Sequence, residues 1–161
     1  LFAGEFTEVH SFVSNDYWNH DVEDNAYALM RTADGVVAVL HSSATEWRHR
    51  FRLEITLRRG MIDLSGILSG SKSYGAETMT VVHAGENDRG EPREVTTRYN
   101  QDNSWRDEVA EFAEAIVDGK AIVNGSSSEA LGTMQLVYRI YCADQEWRDK
   151  YDLSDVIPEY G

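Results

Sequence analysis

Residues 41–50 concentrate polar and aromatic side chains that could contact a small hydrophilic molecule. His41 and Arg48 can donate hydrogen bonds, and Trp47 offers a flat apolar face. Sugar sites combine such groups, because the hydroxyls need hydrogen-bond partners while the ring lies on an aromatic side chain. Tyr74, in a later loop rich in serine and glycine, could add a hydrogen bond or a lid contact. These four residues are the candidate substrate-binding residues, and the alternative is a solvated sheet edge with Trp47 at an interface.

The other titratable residues favour structural roles. None of the five histidines has the i, i+4 or short spacing that metal sites need, so we expect no metal centre. The pair Glu23/Asp24 fits a solvated strand entrance, and Glu108/Glu111 suits the dipole at the start of a helix. Cys142 lies on an apolar helical stripe and is expected to be a structural thiol. We therefore assign no catalytic residue in this chain.

Dinucleotide binding is not predicted for this chain by itself. No Gly-x-Gly sequence occurs among its twelve glycines, whereas the dinucleotide fingerprint needs glycines for a tight turn and a close approach to the pyrophosphate. Residues 66–73 look like a phosphate-binding loop, but they lack both its Gly-Lys adjacency and its spacing. We expect no cofactor to be bound by these residues.

The amino-acid composition excludes some classes of binding partner. The 161 residues include 15 Lys and Arg against 28 Asp and Glu, which gives a net charge of −13. A surface this acidic repels phosphate backbones and anionic lipid, so we expect neither nucleic acid nor membrane as a partner. The single cysteine excludes an internal disulfide and fits a reducing compartment, for which we predict the cytoplasm. The length fits one domain, residues 1–161.

The spacing of apolar residues shows which elements position the candidate residues, and it changes along the chain from strand-like to helical. Apolar and polar residues alternate in several segments up to about residue 99, which predicts six or seven strands. The strongest local signal is Asp34-Gly35, which predicts an antiparallel hairpin.

Helical spacing follows in the last third of the chain. Ser104 and Asp107 have the spacing of a capping box at the start of a first helix, which is predicted to end at Gly119. Residues 126–128 are expected to cap a second helix that continues to about Trp147.

Strands followed by helices predict an α+β fold, with an open-faced, predominantly antiparallel (mixed) sheet and helices packed on one face. The other face, with Met30, Leu40 and aromatic residues partly outward, would be covered by another subunit. We therefore expect a homo-oligomer that forms through the open sheet face.

Together, several segments resemble the C-terminal domain of the Gfo/Idh/MocA oxidoreductases, a family that includes glucose-fructose oxidoreductase and inositol dehydrogenase. These segments are GEFTEV at 4–9, EDNAYALMRT at 23–32, DG at 34–35, LHSSATEW at 40–47, FRLEI at 51–55, SYG at 73–75, WRDEVAEF at 105–112 and the helical stretch 130–141. The resemblance covers nearly the whole chain, and its specificity lies in the order and spacing of the segments.

The resemblance implies a longer parent that transfers hydride at a hydroxyl-bearing carbon of a sugar or cyclitol. In such a parent an N-terminal Rossmann domain binds NAD or NADP, and the C-terminal sheet walls the substrate pocket and builds dimers or tetramers. The family's Glu-Lys-Pro segment and the Asp and His that precede the Gly4 region are missing here, so we expect the fragment alone to be inactive. Residues 1–4 are then the last turn of a truncated helix. The alternative is a stand-alone assembly module or small-molecule-binding domain without catalysis.

Overall fold

A computed structural model of the chain describes residues 3–68, 74–85 and 92–154. In these residues seven strands precede three helices: β1 (Phe6–Ser14), β2 (Asn25–Thr32), β3 (Val37–Ser43), β4 (Arg52–Leu57), β5 (Gly60–Ser65), β6 (Glu77–His83), β7 (Arg93–Tyr99), α1 (Ser104–Asp118), α2 (Ser127–Ala143) and α3 (Gln145–Lys150). The strands form two antiparallel sheets, one of order β1-β2-β3 and one of order β4-β5-β6-β7. The predicted α+β class and number of strands are confirmed, with the strands divided between two sheets.

The chain divides into two compact units, with boundaries after Thr45 and after Ala121. The first unit contains the three-stranded sheet together with α2 and α3. The second unit contains the four-stranded sheet and α1. Residues 41–50 therefore pass from the first unit into the second.

The turn between β2 and β3 is the predicted hairpin. Gly35 adopts a φ of 86°, in the left-handed region that favours glycine. Its N–H donates to the carbonyl of Thr32 at 3.0 Å, and the hydroxyl of Thr32 accepts the N–H of Val36 at 3.0 Å. Thr32 thus closes the turn from both its backbone and its side chain, and the prediction is confirmed.

One face of the first sheet packs against α2. Ala28 and Met30 form its buried core with Ile140 of α2, and the hydroxyl of Ser11 donates to the carbonyl of Ile140 at 2.5 Å. The expectation that Met30 faces outward is wrong: even-numbered residues of β2 face the helix, and Met30 is 5% exposed. Leu40 pairs with Ala28 and therefore lies on the same, inner face.

The opposite face of the first sheet is apolar and open to solvent. Its large apolar members, which we call the outer apolar face, are Phe12, Tyr27, Leu29, Val37 and Val39. Cross-strand pairs make this face continuous, since Tyr27 lies opposite Phe12 and Leu29 lies opposite Val39. Val39, at 81% exposed, protrudes furthest into water.

The second sheet has one apolar and one polar face. Leu53 and Ile55 lie opposite Leu64 and Ile62, which places apolar side chains on one face. On the other face Arg52 binds Glu54 at 2.9 Å and Asp63 at 3.2 Å. Strand β4 therefore alternates between apolar and charged side chains, and the charged face is stabilised by ion pairs.

Helix α1 begins differently from its prediction. Ser104 is its first residue rather than its cap, and the N-cap residue Asn103 makes no side-chain capping hydrogen bond. Both the hydroxyl and the backbone N–H of Ser104 donate to Asp102, at 2.6 and 3.1 Å. The predicted capping box of Ser104 and Asp107 is therefore wrong, while Gly119 ends the helix in a left-handed cap as predicted.

Helix α2 begins at the capping box that its serines predict. Ser126 accepts the N–H of Glu129, whose carboxylate accepts the N–H of Ser126 at 2.9 Å. The helix does not continue to Trp147 as predicted, because Asp144 interrupts it and caps α3. The carboxylate of Asp144 accepts the N–H of Trp147 at 3.1 Å and that of Val13 at 2.7 Å. None of the helices in the described ranges is long and apolar enough to cross a membrane.

Candidate functional site

A buried carboxylate organises the loop between β1 and β2. Asp24 is 4% exposed, and its Oδ2 accepts the backbone N–H groups of Tyr17 and Trp18 at 2.8 and 3.2 Å. Its Oδ1 accepts the side-chain amide of Asn25 at 3.1 Å. The carbonyl of Asp24 accepts the N–H of Ala44 at 2.7 Å. One residue thus ties the β1–β2 loop to the end of β3.

These hydrogen bonds also set the protonation of the group. Burial raises the pKa of Asp24, but the hydrogen bonds from Tyr17, Trp18, Asn25 and Ser14 together outweigh it and hold the pKa below its ordinary value of 3.8. The interpretation of Asp24 as part of a solvated strand entrance is therefore wrong. The residue before Asp24, Glu23, acts on Tyr141. The pKa of Tyr141 is raised to about 12, first by burial and then by the carboxylate of Glu23.

Replacing Asp24 with asparagine should lower stability and weaken its dependence on acid. Because the folded pKa lies below the unfolded one, Asp24 stabilises the fold above its ordinary pKa of 3.8 and loses this effect as the pH falls through the folded pKa. We expect Asp24→Asn to melt about 5 °C lower at pH 7, with a smaller further loss between about pH 5 and pH 3 than in the wild type. Thermal unfolding followed by circular dichroism at several pH values measures both effects.

Asp21→Asn is the matched control, since Asp21 is an exposed aspartate of the same loop. We expect Asp21→Asn to follow the wild-type pH curve. Equal melting temperatures for Asp24→Asn and Asp21→Asn across the range would show that Asp24 does not hold the loop.

Hydroxyl and amide groups cluster at this end of the first sheet. The side-chain amide of Asn25 donates to Thr45 Oγ1 at 3.1 Å, and Thr45 Oγ1 lies 3.1 Å from Ser43 Oγ. The backbone N–H of Thr45 also donates to Ser43 Oγ at 3.1 Å. This network fixes the chain where β3 ends and offers donors and acceptors to a polar ligand.

Two exposed aromatic residues adjoin this cluster. Tyr17 and Trp18 meet edge to face, with 4.8 Å between ring centroids, and are 60% and 51% exposed. The indole N–H of Trp18 donates to the carbonyl of Ala44 at 3.0 Å, which holds the ring beside the end of β3. This pair is not among the predicted site residues, although two adjacent aromatic residues in the polar stretch 15–24 are a usable signal in the sequence.

The predicted site residues divide between the two units. His41 lies on β3 in the first unit, where its ring stacks on Tyr27 with 4.1 Å between centroids and 11° between planes. Trp47, Arg48 and Tyr74 belong to the second unit. His41 therefore extends the outer apolar face rather than standing among the other three within one unit.

Trp47 and Arg48 are exposed in the second unit, with Trp47 at 96%. Tyr74 approaches this segment through His49, with 5.0 Å between ring centroids. An ion pair of 3.6 Å between Arg50 and Glu46 closes the short turn that carries Trp47. The structure thus brings Tyr74 next to the segment with Trp47 and Arg48, and their role in binding stays a prediction.

The described residues do not fit a metal or a dinucleotide. Within 3–68, 74–85 and 92–154 no group of three or more His, Cys, Asp or Glu side chains could hold a metal ion. Strand pairs in the same ranges are antiparallel, so these residues contain no βαβ unit to place a pyrophosphate at a helix N-terminus. The chemistry available here is hydrogen bonding and stacking at exposed aromatic groups.

Comparison with known proteins supports the resemblance. Residues 1–63 match the family model of the GFO/IDH/MocA C-terminal domain. No curated protein sequence matches the chain.

Solved structures share the fold. UDP-N-acetylglucosamine 3-dehydrogenase from Acidithiobacillus ferrooxidans is similar in two crystal forms, at 16% and 17% identity and a TM-score of 0.67, over 89% of this chain and 41% of that one. A protein from Desulfitobacterium hafniense assigned as an NADPH-dependent oxidoreductase is similar at 18% identity and a TM-score of 0.65, over 91% of this chain and 42% of that one. This chain spans about two fifths of the length of these proteins.

Proposed function

We propose, from the match of residues 1–63 to the GFO/IDH/MocA C-terminal domain, that this chain is the substrate-side and assembly domain of a nicotinamide-dependent dehydrogenase. The family match and the oxidoreductase neighbours support a domain of a dehydrogenase family. The finer assignment is a sugar or cyclitol substrate oxidised at a CH–OH group. This chain spans about 41% of the length of one structural neighbour. We therefore assign cofactor binding and hydride transfer to residues outside it.

The substrate class is supported by the kind of groups that the chain exposes. Trp47 and Arg48 stand on one short turn with Tyr74 beside it, and the Tyr17–Trp18 pair adjoins the hydroxyl cluster of the first unit. Polyhydroxylated molecules are held by hydrogen bonds at their hydroxyls and by aromatic faces against their rings. Each set by itself offers hydrogen-bonding groups and an aromatic face to a molecule of this kind.

The nicotinamide cofactor, NAD or NADP, supplies the hydride chemistry when bound. We assign its binding to an N-terminal Rossmann domain of the same protein, because this chain has no Gly-x-Gly. The role of the present residues is to bind and orient the substrate and to exclude water from it. On this proposal the chain by itself is inactive, and its single cysteine fits a cytoplasmic protein.

The outer apolar face supports the assembly role. Its five large side chains leave a continuous apolar surface in water, and burying each would contribute about 1 to 2 kcal/mol. A second copy of the same face is complementary to it under two-fold symmetry, so we assign this surface to a homo-oligomer. The same face would also suit a stand-alone assembly module, and a gene without an upstream dinucleotide fingerprint would favour that alternative.

Replacing Trp47 with alanine in the two-domain protein tests the substrate assignment. We expect KM for the sugar or cyclitol to rise about tenfold, because a lost ring contact of roughly 1.4 kcal/mol corresponds to that factor. The KM for the nicotinamide cofactor should not change. Steady-state kinetics with each substrate varied in turn measures both values.

Trp105→Ala is the matched control, since Trp105 is also highly exposed but lies on α1. We expect wild-type kinetics from it. Unchanged kinetics in Trp47→Ala would remove Trp47 from the site. A change in the cofactor KM alone would place Trp47 against the nucleotide-binding domain instead.

A further inference from the structure

One end of the second sheet contains an open depression of about 420 Å³ lined by basic groups. Among the described residues, the lining is formed by Arg59, His83, Ala84, Gly85 and Arg93. None of these five residues is acidic, in a chain whose net charge is −13. The described lining of the depression therefore differs in sign from the protein as a whole.

The strand register places the basic side chains together. His83 of β6 lies opposite Arg93 of β7 and, on its other side, opposite Gly60 of β5. Residues opposite one another point to the same face, so the side chains of His83 and Arg93 are neighbours. Glu94 pairs with Val82 and points to the other face, which keeps its carboxylate away from the depression.

The third basic residue is held in a rigid turn. Arg59 immediately precedes Gly60, and its carbonyl accepts the N–H of Ala84 at 3.1 Å. A Cβ atom at Gly60 would overlap the carbonyl oxygen of Val82, so only glycine allows the turn to lie this close to β6. The backbone of Arg59 is thereby fixed next to His83.

The guanidinium groups of this depression differ from others in the same sheet. Arg52 has two carboxylate partners, Glu54 and Asp63. In the described part of the chain, by contrast, neither Arg59 nor Arg93 forms an ion pair. Two guanidinium forks and one imidazole can therefore turn toward a ligand.

We propose that this depression binds a phosphoryl group of a small soluble ligand. A tetrahedral dianion has enough acceptor oxygens to accept hydrogen bonds from two guanidinium groups and an imidazole together, whereas a monocarboxylate has two. The acidic remainder of the surface repels anions, so binding is confined to this place. The site goes beyond the proposed function and depends on none of its residues.

Inorganic phosphate, titrated into the protein and followed by NMR at the imidazole of His83 and the N–H of Ala84, tests this site. We expect saturable shifts at both groups that weaken as NaCl is raised, because exposed charges are screened by salt. The double variant Arg59→Gln/Arg93→Gln should raise Kd at least about tenfold, the effect of losing roughly 1.4 kcal/mol. Circular dichroism confirms that the variant is folded.

Two controls make the test selective. Arg98→Gln removes a positive charge from the same strand β7 on its other face, where Arg98 pairs with Thr78, and should leave Kd unchanged. Acetate at equal ionic strength should shift His83 and Ala84 much less than phosphate does. Equal shifts with acetate, or an unchanged Kd in the double variant, would overturn the site.

Discussion

Replacing Val39 with glutamate is expected to separate the proposed homo-oligomer into monomers. Val39 is 81% exposed on the outer apolar face, on the edge strand β3, where it lies opposite Leu29 of the central strand β2. A two-fold interface would bury a glutamate from each copy among apolar side chains, while Arg31 of the same face is already paired with Glu8, and this costs several kcal/mol. We therefore expect the dissociation constant to rise at least about 100-fold, a change of roughly 2.7 kcal/mol. Light scattering after size-exclusion chromatography over a range of concentrations measures it.

Val123→Glu is the control for this prediction. Val123 is 76% exposed but lies in the connection between α1 and α2 and is not part of the strands that form the outer apolar face. We expect Val123→Glu to assemble as the wild type does and to melt within about 2 °C of it, because its position is on the surface. If Val39→Glu assembles normally, or if the wild type is itself a monomer, the interface is not on this sheet face.

Much of the local structure could be predicted because it depends on neighbours in the sequence. The hairpin at Gly35, the left-handed end of α1 at Gly119 and the capping box of Ser126 each arise from a few consecutive residues. The predicted N-cap of the first helix is wrong by one position. Ser104 is already helical, and its hydroxyl donates to Asp102 instead of accepting a helical N–H. Short-range hydrogen bonding of serine to aspartate competes with capping, and sequence spacing alone does not decide between them.

The parts that could not be predicted depend on distant residues. Asp24 accepts the N–H of Trp18, while its carbonyl accepts the N–H of Ala44 twenty positions later, and nothing in the local sequence marks it as buried. Asp144 likewise ends α2 because it also accepts the N–H of Val13 on β1. The candidate site shows the same limit, since His41 stacks on Tyr27 across two strands, whereas Tyr74 meets His49.

Replacing Gly66 with alanine is expected to destabilise the second unit strongly. Gly66 is buried, adopts a φ of 73° and donates its N–H to the carbonyl of Phe51 at 3.0 Å. A Cβ atom there would overlap the carbonyl oxygen of Ala76, so the substitution adds a backbone clash to the strain of a left-handed conformation. We expect a loss of about 4 kcal/mol in the free energy of unfolding, measured with urea and circular dichroism.

Gly75→Ala separates the clash from the strain. Gly75 has a similar φ of 83°, but beyond its chain neighbours no atom of the described residues lies within 4 Å of the position that its Cβ would take. It should therefore show only the cost of the left-handed conformation, about 1 to 2 kcal/mol. The difference between the two variants, roughly 2 to 3 kcal/mol, is the cost of the clash between a side chain at residue 66, just after β5, and the carbonyl of Ala76, just before β6. Equal losses in both variants would mean that the chain at Ala76 can move aside, and that the approach is not needed to hold the sheet together.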